Sequence, residues 1–412
     1  MAKIFPFQPY RYAEAAGALE NLVTQPYDKI TPEMQARYLS LSPYNLVRVI
    51  LGERFPADTE TDNVYTRAAK HLEDWKARGI LVKEDRASLF AYFQEFPVPD
   101  TGERLVRKGF IGLGAVEDYS AGVVHRHEQT LSGPKKDRLE LLRRTRAHCG
   151  QIFMLYPDPA RQIDAILDEA AAGEPVATVS DEYQTTHRVW KIVDAPRIAA
   201  MQRLMEDRKL LIADGHHRYE TALAFRDANP ALQDARRVMM TFVNMYSPGL
   251  KILATHRLLA GMAGFDAQAF VAKAGLRPVG DLAALREAWA EPHRARVLIG
   301  VALAGADPLY IYEADRGPGD LDVRVLHEKL IGGALGIGEQ EVREEKHIRY
   351  IRGAEPAIAE VRGGAAQIAF LLEPTSMEDV ARVAFGGGVM PQKSTDFYPK
   401  LLSGLTIYRV ER

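Results

Sequence analysis

Cysteine is almost missing from this chain of 412 residues. Cys149 is the only one, which excludes an internal disulfide framework and a cysteine-based zinc site. Charge of one sign is missing too: 53 Lys and Arg face 55 Asp and Glu, a net charge of −2. That balance leaves no global electrostatic footprint for nucleic acid or an acidic membrane. Long hydrophobic runs do not occur. The longest, Val297–Ala306, falls far short of the ~18–20 residues a membrane span needs. The opening MAKIFPFQPYRY lacks the basic-then-apolar pattern of a signal peptide. Repeats and low-complexity linkers are likewise missing. The expectation is a soluble protein of a reducing cytoplasm. What is present is ordinary globular usage, 47% hydrophobic and 26% charged, over a length that suggests two or three domains.

Strand and helix signals alternate along the chain, which predicts α/β or mixed α+β layers. Leu46–Leu51 reads as a strand and Asn63–Gly79 as a helix, with Val64, Ala68, Leu72 and Trp75 on one face. Ser88–Phe96 and Leu105–Val116 read as a hairpin around Pro99-Asp100-Thr101-Gly102. Ile152–Tyr156, His187–Val193, Leu210–Ala213 and Arg237–Tyr246 are further strands, with a helix over Tyr219–Ala228. Composition turns Ala- and Gly-rich after Gly261–Phe265, a domain boundary. Beyond it, Val297–Leu303 and Leu309–Glu313 form a second hairpin, followed by a helix over Leu321–Leu335.

Chemistry concentrates in four segments. In the first, Ala213-Asp214-Gly215-His216-His217-Arg218-Tyr219, an apolar strand meets an Asp, a Gly turn, two histidines, an Arg and a helix start. Backbone N–H groups at a helix start, Gly for close approach, and Arg or His donors make a phosphate cradle. Asp214 could hold Mg²⁺ or orient a hydroxyl nucleophile. The plain alternative is an Asp cap with surface histidines. A third reading joins Asp214 and His216 to His125, His127 and Glu128 as ligands for Zn²⁺ or Mn²⁺, without any recognised metallohydrolase spacing.

The second segment is His125-Arg126-His127-Glu128 with Lys135-Lys136-Asp137-Arg138 and Arg143-Arg144-x-Arg146 behind it. A solvated, salt-bridged helix and an anion site with an adjacent acid or base are both compatible with it. In the third, Gly387 precedes Gln392-Lys393-Ser394-Thr395. Gln stands where a Walker P-loop requires Gly, so that motif is rejected; a phosphate contact by Lys393, Ser394 or Thr395, or a surface loop, remains. The fourth, Pro26-Tyr27-Asp28-Lys29-Ile30-Thr31-Pro32-Glu33, starts a helix at Thr31-Pro32. Asp28 and Glu33 are acid or base candidates if the fold brings them to Asp214.

FPFQPYRY, PYDKITPE, SPYNLVRVI, RHEQTLSGPKKDRLELLRRT, ADGHHRYETAL and MPQKSTDFYPKLLSGL, in that order over the whole chain, resemble the bacterial and archaeal family DUF1015. ADGHHRYETA is also similar to the DGHHR motif of ParB-like domains, a superfamily that includes partition proteins, sulfiredoxin and the free-serine kinases. In those relatives an early acidic segment and the DGHHR loop meet around nucleotide phosphates. The resemblance implies a ParB-like core over 1–60 and 205–260, an inserted α/β segment with a basic helix over 61–204, and a C-terminal α/β domain over 261–412.

The function that the resemblance implies is phosphoryl transfer to a small hydroxyl metabolite, L-serine/O-phosphoserine, with ATP or ADP as co-substrate and Mg²⁺ held by Asp214. Catalytic roles would fall to Asp214, His216, Glu33, His127 and Glu128. Phosphate contacts would come from His217, Arg218, Lys136, Arg138, Lys393 and Ser394. A phosphatase using water, with His127 or Glu128 assisting, is the second reading. A non-enzymatic nucleotide-binding switch of the ParB kind is the third. Near-neutral charge and the lack of a helix-turn-helix argue against nucleic acid as a partner.

Overall fold

The computed structural model describes residues 1–99, 101–128, 132–290 and 295–411. The chain is α/β and divides into two compact units. The first holds Met1–Lys251 and Pro399–Arg412, and the second Ile252–Tyr398.

The first unit is built on a nine-stranded mixed sheet. In spatial order its strands are Val124–His125, Leu210–Asp214, Ile152–Tyr156, Arg237–Asn244, Arg104–Ala115, Leu89–Pro97, Thr186–Ile192 and Ala177–Ser180, with Ile4–Phe5 pairing Arg104–Ala115. The central strands are apolar on both faces, as the continuous burial of Ile152–Tyr156 and Leu210–Ala213 shows. Phe110, Met154, Tyr156, Ile212, Tyr219 and Phe242 meet in the main core. A second cluster joins Leu46, Val49, Leu72, Trp75, Cys149 and Ile407. The helix Ser132–Thr145 packs against both Val64–Ala77 and His216–Ala228.

The expected Asn63 helix forms as Val64–Ala77, and Asn63 caps it with bonds from the Tyr65 and Thr66 amides. The first hairpin is antiparallel from Phe90↔Ile111 to Pro97↔Arg104; Asp100 of its expected turn lies outside the described residues. Leu46–Leu51 is not a strand. Val47–Ile50 is a short helix, because the Asn45 Oδ1 accepts from the Val47 amide at 2.9 Å and one helical turn buries Val47, Val49 and Ile50 together. Packing overrides the strand preference of these β-branched residues.

Within residues 61–204, four strands lie at the centre of the same sheet as Leu210–Asp214. The second unit begins at Ile252, ahead of the expected boundary, and the closing segment from Pro399 belongs to the first unit.

The second unit carries a six-stranded sheet in the order Arg277–Gly280, Leu309–Asp315, Arg296–Leu303, Ile368–Leu371, Thr255–Leu259 and Ile348–Arg352. Every pairing in it is antiparallel. Its core gathers Leu258, Leu285, Ile311, Ala357, Ile358 and Leu371. The helix expected over Leu321–Leu335 starts as an α-turn, Asp322–Val325, and continues with π winding over Leu326–Ala334. Among the described residues no helix is long and apolar enough to cross a membrane.

Candidate functional site

Four buried residues carry the strand to Asp214, and the pairing with Ile152–Tyr156 shifts register between Ile212 and Asp214. Such an irregularity re-aims the side chain that follows it. Gly215 then adopts φ +96°, and among the described residues no side chain caps the start of the helix His216–Ala228. A left-handed N-cap suits glycine, and an uncapped helix start presents amide donors and a partial positive charge. Arg218, one turn on, donates from Nη2 to Asp214 Oδ2 at 2.7 Å and from Nη1 to the Gln151 carbonyl. Gly215 and Gly150 leave room for it: an added Cβ would lie 3.1 Å and 3.3 Å from the guanidinium.

A second cation reaches the same carboxylate from the far end of the chain. Lys400 Nζ lies 3.6 Å from Asp214 Oδ1. Burial pushes the Asp214 carboxyl up, and the charges of Lys400, Arg218 and Lys29 overcome that and hold it well below the usual carboxylate range. Asp214 is therefore an ionised, clamped carboxylate.

Buried side chains hold the Lys400 segment by its backbone. Gln94 Nε2 donates to the Lys400 carbonyl at 2.8 Å, and Arg107 Nη2 to the Pro399 carbonyl at 2.6 Å. Arg107 also donates to Gln94 Oε1 at 3.0 Å and lies over the Phe153 ring. Burial lowers its guanidinium to about 9. The Leu402 amide donates to the Tyr92 hydroxyl oxygen at 3.4 Å, and Gln151 Nε2 to the Leu402 carbonyl at 3.3 Å. The direction of the remaining protons follows from Asp181. Burial raises its pKa, but bonds from His187, the Thr185 amide and Gln25 outweigh that and keep it low, so it only accepts. His187 Nε2 then donates to Asp181 at 3.2 Å, and its Nδ1 accepts from the Tyr92 hydroxyl at 2.7 Å. Tyr92 is left with its oxygen free to receive Leu402.

The N-terminal segment joins this site. The charges of Arg218, Arg138 and Asp214 act on Tyr27, Lys29 acts on Asp214, and Asp28 acts on His217. The Arg138 guanidinium lies 4.1 Å from the centre of the Tyr27 ring and donates to the Ile50 carbonyl. The histidines divide by role. His127 is buried, its Nδ1–H donates to the Ile212 carbonyl at 2.9 Å, and burial lowers it to about 3. It packs edge-on to His216 at 4.8 Å, and His216 is lowered by burial to about 4, with Nε2 unpartnered among the described residues. Both are neutral rings. Glu128 Oε2 lies 3.9 Å from His216 Nδ1. His217 is only partly buried, which lowers its pKa, while Glu128, Glu220 and Asp28 pull it up.

The structure thus brings together Asp214, His216, His217, Arg218, His127, Glu128 and Arg138. Lys136 is exposed on Ser132–Thr145. Glu33 is exposed in the first turn of Pro32–Leu41, and its pKa is lowered by a hydrogen bond with Thr31, the arrangement of a capping carboxylate. Lys393 and Ser394 belong to the second unit, where Ser394 Oγ donates to the Pro391 carbonyl at 2.5 Å. Sequence reasoning missed Lys400, Lys29, Gln94, Arg107 and His187. Lys400 stood in a quoted motif, but nothing local to it points at Asp214. Cys149 is buried, and burial raises its thiol to about 12, so it is no nucleophile.

Among the described residues no group of three or more His, Cys, Asp or Glu could hold a metal ion. Asp214 itself does not fit the expected Mg²⁺ ligand: both of its oxygens face cations. The uncapped helix start, with Arg218, Lys400 and Lys29 near it, fits an anion such as a phosphate group.

A family model described as "Protein of unknown function (DUF1015)" matches residues 4–313, and the chain belongs to that family. No curated protein matches the sequence significantly. Among solved structures, the chain is similar to a free serine kinase in complex with AMP, at 14% identity and a TM-score of 0.38 over 70% of this chain and 88% of that one. It is similar to a conserved hypothetical protein from Pyrococcus furiosus at 14% identity and a TM-score of 0.35, covering 69% and 92%. A C-terminally truncated SbnI from Staphylococcus aureus gives 11% and 0.34, covering 72% and 87%.

Proposed function

We propose that the first unit is a phosphotransferase acting on a small hydroxyl metabolite, L-serine/O-phosphoserine, with an adenine nucleotide as the other substrate. The observation that carries this reading is the uncapped helix start at Gly215, where Asp214 holds Arg218 at 2.7 Å and faces Lys400 at 3.6 Å. Phosphoryl transfer requires positioning and charge neutralisation more than covalent chemistry. Arg218, Lys400 and Lys29 supply the neutralising charge, and Asp214 fixes two of them before any ligand arrives. His217, under the charge of Asp28, is the group to take the hydroxyl proton as the hydroxyl oxygen bonds to the terminal phosphorus of ATP and the bond from that phosphorus to its bridging oxygen breaks, releasing ADP.

Hydrolysis assisted by His127 has less behind it, because that ring is buried, neutral and engaged with Ile212. The test is a phosphorus NMR time course of the whole chain with O-phosphoserine and Mg²⁺, with and without ADP. Phosphate moving onto ADP supports the transferase. Free phosphate in both tubes replaces it with a phosphatase, and no change in either rejects this substrate pair.

A further inference from the structure

A cavity of about 540 Å³ opens within the second unit. Its walls come from the strand Thr255–Leu259, the turn and helix start at 316–323, and the loop and helix at 372–382. Four of its charges answer one another: Arg316 pairs with Asp322 at 2.6 Å and Arg382 with Asp379 at 2.6 Å. Two groups stand apart. Arg257 is 1% exposed, and among the described residues it bonds only to carbonyls, those of Thr255, Gln392 and Lys393, with Nε unpartnered. Among the described residues no carboxylate pairs with it. His256 and His327, which feel its charge, are each lowered by burial to about 4 and remain neutral. Glu378, exposed at the start of Met377–Phe385, makes no hydrogen bond or ion pair among the described residues.

Holding three carbonyls does not require a charge, since a neutral amide side chain donates N–H bonds as well. A guanidinium buried with no acid to answer it leaves that wall of the cavity positive. The rest of the lining is acidic: Asp320, Asp322, Glu373, Glu378 and Asp379 outnumber Arg257, Arg316 and Arg382. A polyanion such as a nucleotide is repelled by that surplus, and a simple cation by the Arg257 wall. A molecule bearing one carboxylate and one ammonium matches both.

We propose that this cavity binds a free α-amino acid, with its carboxylate on the Arg257 wall and its ammonium toward Glu378 and Asp320. The site is separate from the one assigned to phosphoryl transfer and does not depend on that reading.

The test is titration calorimetry of the full chain against the twenty common L-amino acids singly, with acetate and putrescine as half-ligands. At least one amino acid is expected to bind saturably while acetate and putrescine do not. Arg257→Gln and Glu378→Gln should each weaken it by about tenfold or more, the loss of one charge-assisted contact. Should Arg257→Gln fail to fold by circular dichroism, Glu378→Gln decides, because that side chain is exposed and unpartnered. No binding by any amino acid overturns the proposal, as does acetate binding equally well or binding that survives both substitutions. Serine binding that falls with Asp214→Asn but not with Glu378→Gln reports the first unit and also counts against this site.

Discussion

Lys400 and Asp214 stand 3.6 Å apart, with Arg218 on the other oxygen of the same carboxylate at 2.7 Å. One acid thus fixes two cations that come from a local helical turn and from the far end of the chain. Under the proposed phosphoryl transfer, an anion entering beside the helix start would meet donors that need no reorganisation, which is where electrostatic stabilisation of a transferring phosphoryl group is most effective.

Replacing Asp214 by Asn removes the group that fixes both cations. Turnover is expected to fall about 100-fold or more. Stability should fall by about 1–3 kcal/mol, less than for a fully buried pair because the carboxylate is 21% exposed. The sign with pH follows from its lowered pKa. The contribution is present above the unfolded value near ~3.9 and is lost as pH falls through the lower folded value. Urea unfolding between pH 3 and 7, in roughly unit steps, should show the wild type losing its advantage over Asp214→Asn only at the acid end. A constant gap would remove Asp214 as the ionised clamp.

The neutral histidines predict acid sensitivity of the same sign, but over a higher pH range. His216 and His127 sit at about 4 and about 3 in the folded chain, against ~6.5 unfolded. The unfolded state takes up protons first, so stability falls as pH drops from ~6.5 toward these values, by up to about 1.4 kcal/mol per pH unit for each ring. His216→Gln should show a shallower loss over pH 6.5 to 4 than the wild type. Equal slopes would mean that His216 titrates normally.

What was legible in the sequence is what neighbouring residues decide. The Val64, Ala68, Leu72, Trp75 stripe and the Asn63 cap lie within one helix, and the first hairpin alternates within two adjacent strands. The Asp214–Arg218 loop was legible because strand, glycine and helix follow without a break. Leu46–Leu51 was misread because its β-branched residues look like a strand until Trp75 and Leu72 are packed on them. Lys400, Gln94 and Arg107 were invisible, because their meeting is a property of the sheet and not of any segment. Lys393-Ser394 shows the converse: a phosphate-like motif locally, placed by the fold in the second unit.

Tyr92→Phe tests whether the buried chain from Asp181 through His187 sets Lys400. The ring stays, but Leu402 loses its acceptor and His187 its donor. Stability should drop by about 1–2 kcal/mol. The Lys400 ammonium should react faster with an amine-acylating reagent, read by peptide mass spectrometry, as its segment loosens from Asp214. Unchanged Lys400 reactivity at reduced stability would leave Tyr92 a purely structural residue.

Gly215→Ala asks how tightly the loop is drawn. The backbone there has φ +96°, a conformation that costs a residue with a Cβ about 1–2 kcal/mol. The new methyl would also lie 3.1 Å from the Arg218 guanidinium, pushing against its bonds to Asp214 and Gln151. Two effects should therefore appear together: a stability loss of roughly that size and weaker binding of ADP by calorimetry. Arg218→Lys separates them, because Lys fits beside glycine but cannot bridge Asp214 and the Gln151 carbonyl in one planar fork. If Gly215→Ala lowers stability while ADP affinity matches the wild type, the helix start at Gly215 is a turn device and the anion binds elsewhere. If both variants lose affinity and only Gly215→Ala loses stability beyond about 1 kcal/mol, the guanidinium geometry at this glycine is what the ligand reads.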